Sequence, residues 1–174
     1  MQSQNLRRHC YAVEATMKAL AKHFNEDENL WGIVGLLHDG DYEKTKDTPQ
    51  EHTILMEKWL REAGENNKEI LSAVLSHNFA HTGQNAPKNK LEWSLYCCDE
   101  LTGFIVAVAL VMPTKKLSNV SVESILKKWN QKSFAAGVKR FQIEMCEEKF
   151  GIKLNDFIKI VLGATQEIHD ELGL

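Results

Sequence analysis

LWGIVGLLHDGDYE, residues 30–43, is the stretch that decides how this chain reads. Leu30, Trp31, Ile33, Val34, Leu36 and Leu37 go almost all the way round a helix, which predicts a central, buried one. The run ends in His38 and Asp39. Gly40 follows, and a glycine there predicts a helix stop through a positive φ. A carboxylate at the end of a buried helix is costly unless something neutralises it. A divalent cation does so, and His with Asp is a common ligand pair for one.

Working outward, Leu6, Cys10, Val13, Met17, Leu20 and Phe24 step by four and three along an amphipathic helix over residues 3–24. His9 lies beside that stripe and is expected to face inward. Asn25 is expected to cap the next helix, with Glu28 at the capping-box position. On the other side, a polar loop over 41–47 leads to Thr48-Pro49-Gln50-Glu51, which reads as the start of a helix running to Ala63 and stopping at Gly64. His52 then sits in its first turn, on one face with Leu55 or Met56 and Trp59. In the helix over 67–77, Ile70, Ala73, Val74 and His77 share a face, and a turn containing His81 follows. The long helix over 91–112 carries Leu91, Leu95 and Asp99 at steps of four, with Thr102, Gly103 and Val106 continuing that face. Asp99 thus interrupts an apolar stripe. Ser121 caps a helix over 122–130, and two more are expected over 134–150 and 155–172. No segment alternates as a strand does. The expectation is an all-α, single-domain bundle of about seven or eight helices. The expected division puts the site in a core over residues 1–112 and a helical segment packed on it over residues 113–174.

The 174 residues are 43% hydrophobic and 26% charged, which suits one globular domain. A net charge of −3 and a pI of 6.2 announce no basic patch, so nucleic acid is not an expected partner. Cys10, Cys97, Cys98 and Cys146 lack zinc-ribbon spacing and are expected to be reduced thiols. The polar N-terminus does not read as a signal peptide. The apolar run from Leu101 to Met112 is shorter than the roughly 20 residues a membrane span needs. The expectation is a cytoplasmic protein with no membrane partner.

Six polar residues fall at inward-facing positions of five helical segments: His9, His38, Asp39, His52, His77 and Asp99. A lone buried histidine is ordinarily a hydrogen-bonded core residue, and His23 and His169 fit that description or a solvated one. Two aspartates on buried faces beside four histidines are hard to explain without a cation. The order His9, His38-Asp39, Asp99 on an all-helical chain resembles the HD superfamily of metal-dependent phosphohydrolases, over residues 9–99. The tract over 38–43 and the region Ser133–Val138 are similar to a generic bacterial subgroup of HD-domain hydrolases.

The resemblance implies that His9, His38, Asp39 and Asp99 hold a first divalent ion. Asp39 would bridge to a second held by His52 and His77. Mn, Fe, Mg, Co, Ni and Zn are not distinguished. It also implies hydrolysis of a phosphate monoester or diester, of a nucleotide or related small molecule, by a metal-activated water. Asp41 and Glu43 read either as groups that orient the water or protonate the leaving oxygen, or as solvated loop carboxylates; Asp41 is the nearer. His81, Lys44, Lys139 and Arg140 are candidate substrate contacts, with Lys132 beside them. Lys44 also reads as a surface lysine, and His81 as an extra ligand or a plain turn residue. Two other functions fit the same metal site: a non-catalytic nucleotide or phosphometabolite sensor, and a structural scaffold. Homodimerisation through the long apolar helix is left open.

Overall fold

Every regular element between residues 1 and 174, the span described by the computed structural model, is a helix. In chain order these are α1 (Gln4–Phe24), α2 (Glu28–Leu37), α3 (Tyr42–Thr45), α4 (Ile54–Glu62), α5 (Lys68–His77), α6 (Phe79–Thr82), α7 (Lys90–Val111), α8 (Val122–Trp129), α9 (Arg140–Phe150), α10 (Leu154–Glu167) and α11 (His169–Leu172). Because α3, α6 and α11 are single turns, eight longer helices remain, and the all-α expectation holds.

The central element is α7 rather than α2. From Leu91 to Ala109 it buries side chains on most of its circumference, including Leu95, Leu101, Phe104 and Ile105, all 0% exposed. Helix α7 has the length and apolarity of a membrane span, yet most of it is buried inside the molecule, as a core helix is. Helix α2 buries Trp31 and Val34 against α1 but leaves Ile33 43% exposed. Two glycines, Gly32 and Gly35, lie on its buried face. A Cβ at Gly35 would stand 2.8 Å from the Val13 carbonyl oxygen, so the backbones of α1 and α2 nearly touch.

Several helix ends differ from the sequence reading. Asn25 closes α1 in the left-handed region (φ 57°) instead of capping α2. Asn tolerates that conformation better than most residues. Asp27 caps α2, accepting from the backbone N–H groups of Asn29 and Leu30. Gly40 does not take a positive φ. Its role is steric: a Cβ there would lie 2.6 Å from Met56 Sδ.

The helix expected over 48–63 is broken. Pro49–Glu51 form one 3₁₀ turn, His52 is extended in ψ, Thr53 takes φ 69°, and α4 starts at Ile54. The Thr48 hydroxyl donates to the Glu51 carboxylate and caps nothing. Restarting the helix shifts its phase, so Met56 and Leu60 are buried and Trp59 is 37% exposed. Downstream, α9 begins only at Arg140, and the last helix breaks at Ile168 into α10 and α11. The turns before α9 are pinned by Arg140, which donates to the carbonyls of Trp129 and Phe134 and lies 4.8 Å above the Phe104 ring. One cluster of buried apolar residues runs from Ala12 to Leu172, so residues 113–174 share the core of residues 1–112. The four cysteines are buried free thiols.

Candidate metal centre

The fold brings all six inward-facing residues together. His9 stands in the second turn of α1, His38 and Asp39 follow α2, and His52 occupies the break before α4. His77 ends α5, and Asp99 sits midway along α7. Asp39 divides the group. Its Oδ2 lies 3.8 Å from His9 Nε2 and 3.7 Å from His38 Nε2. Its Oδ1 lies 3.2 Å from His52 Nε2 and 3.4 Å from His77 Nε2. Asp99 Oδ1 closes the first half, 2.8 Å from His9 Nε2 and 3.6 Å from His38 Nε2.

The donor chemistry fits a divalent ion. His38 Nδ1 lies 2.7 Å from the Gly35 carbonyl and so donates its proton there. A neutral His38 ring then turns the Nε2 lone pair toward His9 Nε2, 3.3 Å away, and toward two carboxylates. His52 repeats the pattern: Nδ1 meets Asp41 Oδ1 at 2.8 Å, leaving Nε2 to face Asp39. Acceptors aimed at acceptors need a cation between them, and second ring nitrogens held by carbonyl or carboxylate are the usual support of a metal-binding imidazole. Two overlapping triads, His9–His38–Asp99 and His38–Asp39–His77, have ligand atoms close enough to share an ion.

Without an ion, protons take that place. Burial opposes charge on Asp39, but His38, His52 and His77 outweigh it and hold the carboxyl well below its ordinary range. Asp99 is half-buried, which also opposes its charge, and His38 and His9 hold its carboxyl down. Burial disfavours the charged form of His38, yet Asp39 and Asp99 prevail and raise it to about 8. In His52 burial is again outweighed, by Asp39 and Asp41, and the ring rises to about 9.

The residues around the six depart further from expectation. Asp41 is neither solvated nor free to serve as an acid. It is 0% exposed; one oxygen takes His52 Nδ1–H and the other accepts from the backbone N–H groups of Thr53 and Met56. It therefore caps α4 and orients His52, which explains where α4 starts. Glu43 binds the backbone N–H groups of Gln2 and Ser3, at the start of α1. Lys44 and Lys132 are exposed and do not line the site. The guanidinium of Arg140 is committed to backbone carbonyls, so Arg140 is a structural residue here and not a substrate contact. Lys139 and His81 do meet: Lys139 Nζ lies 3.1 Å from His81 Nε2, and burial with the Lys139 charge lowers the ring's pKa.

A cleft of ≈ 250 Å³ opens over the ligands. Its walls add Tyr42, Glu100 and Gln142, which sequence reasoning did not single out. The Tyr42 ring stands edge-on to His52 at 5.6 Å. Glu100 follows Asp99 directly, so it was findable; it accepts the Lys139 backbone N–H at 3.0 Å. Gln142 carries no local signal, because only the docking of α9 on α7 brings it to the cleft.

The HD domain family profile matches residues 6–109, a span that contains all six converging residues. The chain belongs to the HD domain family, whose members are generally metal-dependent hydrolases. No curated protein and no solved structure matches it.

Proposed function

We propose that the protein is a metal-dependent phosphohydrolase that cleaves a phosphate monoester or diester of a nucleotide or related small molecule in the cytoplasm. One observation carries this reading: Asp39 lies in the floor of an open cleft with His9 and His38 on one oxygen and His52 and His77 on the other. His9, His38, Asp39 and Asp99 would hold one divalent ion, and Asp39, His52 and His77 a second. A divalent ion bound there supplies an acidified water and offsets negative charge on a phosphoryl group.

The chain's own part is to fix that arrangement. The Gly35 carbonyl and the Asp41 carboxylate hold His38 and His52 in the tautomers that present Nε2 to the cleft. Lys139, held against His81 of the cleft wall, puts a positive charge beside the cleft, where phosphoryl oxygens are met by charge-assisted hydrogen bonds. Burial of Asp39 and His38 keeps the ligands on a rigid frame.

Protein loaded with Mn²⁺, Co²⁺ or Mg²⁺ should cleave a generic phosphoester, and Asp39→Ala should abolish the activity. Unaltered activity in Asp39→Ala would exclude this reading. Tight nucleotide binding with no product over hours would favour a sensor instead.

A further inference from the structure

The open space does not end at the metal ligands. His9 and Gly103 also line a second cavity of ≈ 300 Å³, between α1, α7 and the C-terminal residues. Gly103 marks the junction: a Cβ there would have no atom within 4 Å. The stripe on α7, expected to continue inward past Thr102, turns out of the core instead. Gly103 is exposed, Val106 half-buried and Leu110 49% exposed. They form the floor of a groove whose other wall is made by Ala12 and Leu172.

The two cavities differ in character. The cleft is lined mostly by polar side chains, whereas half the residues of the groove are hydrophobic. Arg8 stands in that groove. It forms no ion pair, and its Nε is buried without an acceptor. A cationic side chain left partly buried and unpaired is costly, and an anionic ligand group would relieve it. Together the two spaces fall in the ~300–1,000 Å³ range of small-molecule sites.

We infer that this groove binds the part of the phosphoester beyond the scissile phosphate, an apolar chain or ring carrying a second anionic group that meets Arg8. The inference rests on the phosphoester reading of the cleft and narrows its substrate class. The phosphate occupies the polar cleft, the apolar body passes Gly103 and covers Val106 and Leu110, and the distal anion pairs with the guanidinium.

Phosphonates test this without turnover, because they have no ester bond to cleave. The Mn²⁺-loaded protein is titrated by calorimetry with methylphosphonate, hexylphosphonate, and hexylphosphonate bearing a terminal carboxylate. Hexylphosphonate should bind about tenfold or more tighter than methylphosphonate, since each methylene leaves water for the groove. The carboxylate should add about another tenfold through Arg8. Arg8→Met should remove the carboxylate increment alone, and Val106→Phe, which fills the groove, should remove both. Equal binding of the three probes by the wild-type protein overturns the inference and leaves the phosphoester reading standing; this comparison needs no variant to fold. Equal weakening of hexylphosphonate and its carboxylated form in Arg8→Met also overturns it. Binding of none of the probes overturns the inference and the phosphoester reading together.

Discussion

Asp41 is the residue whose role changes most between sequence and structure. In the sequence it is a loop carboxylate two places after Asp39. In the fold it is sealed, with one oxygen on His52 and the other on two backbone N–H groups of α4. No spacing rule reveals this, because it depends on Thr53 adopting φ 69° and so turning its N–H toward Asp41. The six converging residues were legible for the opposite reason. Asp99 breaks a helical apolar stripe, His38, Asp39 and His77 end one, and His9 and His52 share the inward face of one; a polar group at such a position requires a partner. Asp41→Asn should leave the ligands in place but release the tautomer of His52. Metal affinity, measured by competition with a chelator, should fall about 10–100-fold, the usual cost of losing a group that supports a ligand. Affinity equal to the wild type would mean that His52 needs no such support.

At the scale of elements, the reading of α2 failed on one point that matters. Counting its apolar residues predicted burial all round. The close packing with α1 instead runs through Gly32 and Gly35, residues that add nothing to an apolar count. This contact places His38 and Asp39, so it is where the site is sensitive to volume. Gly35→Ala should destabilise the protein by about 1–3 kcal/mol, because its Cβ would press on the backbone of Val13 and Glu14. Gly40→Ala should cost much less, since its Cβ would meet only the flexible end of Met56. Thermal or urea melts of the two variants check this ordering, and a reversed order contradicts the account. Helices α5 and α8 read correctly because their own cap residues, Asn67 and Ser121, mark their starts. Helix α4 did not, because its cap comes from Asp41, eleven residues before His52 in the chain.

For the whole molecule, the class of fold followed from helical periodicity without strand alternation, and the depth of the cleft did not. Residues 113–174 bring Val138 and Gln142 to its wall through the packing of α9 on α7, a tertiary event with no local mark. The site also makes folding stability depend on pH and metal. In metal-free protein the depressed carboxyls of Asp39 and Asp99 stabilise the fold above their ordinary pKa of about 3.9, and that contribution is lost as pH falls. The protonated forms of His38 and His52 stabilise it fully below about 6.5. That contribution is lost as pH rises through about 8 and about 9. The melting temperature in chelator should therefore peak between about pH 4 and pH 6.5 and decline toward pH 9. Added Mn²⁺ should remove the alkaline decline, because the ion replaces those protons. A metal-free melting temperature that does not change from pH 6 to pH 9 would count against these titrations.

The most direct test is the metal content of the protein after equilibration with Mn²⁺ and removal of free ion. About two ions per chain are expected in the wild type and about one when His52 and His77 are both replaced by alanine. None is expected in Asp39→Ala, where the carboxylate shared by both halves is gone. Full ion content in Asp39→Ala, or none in the wild type, would contradict a metal centre built on that carboxylate.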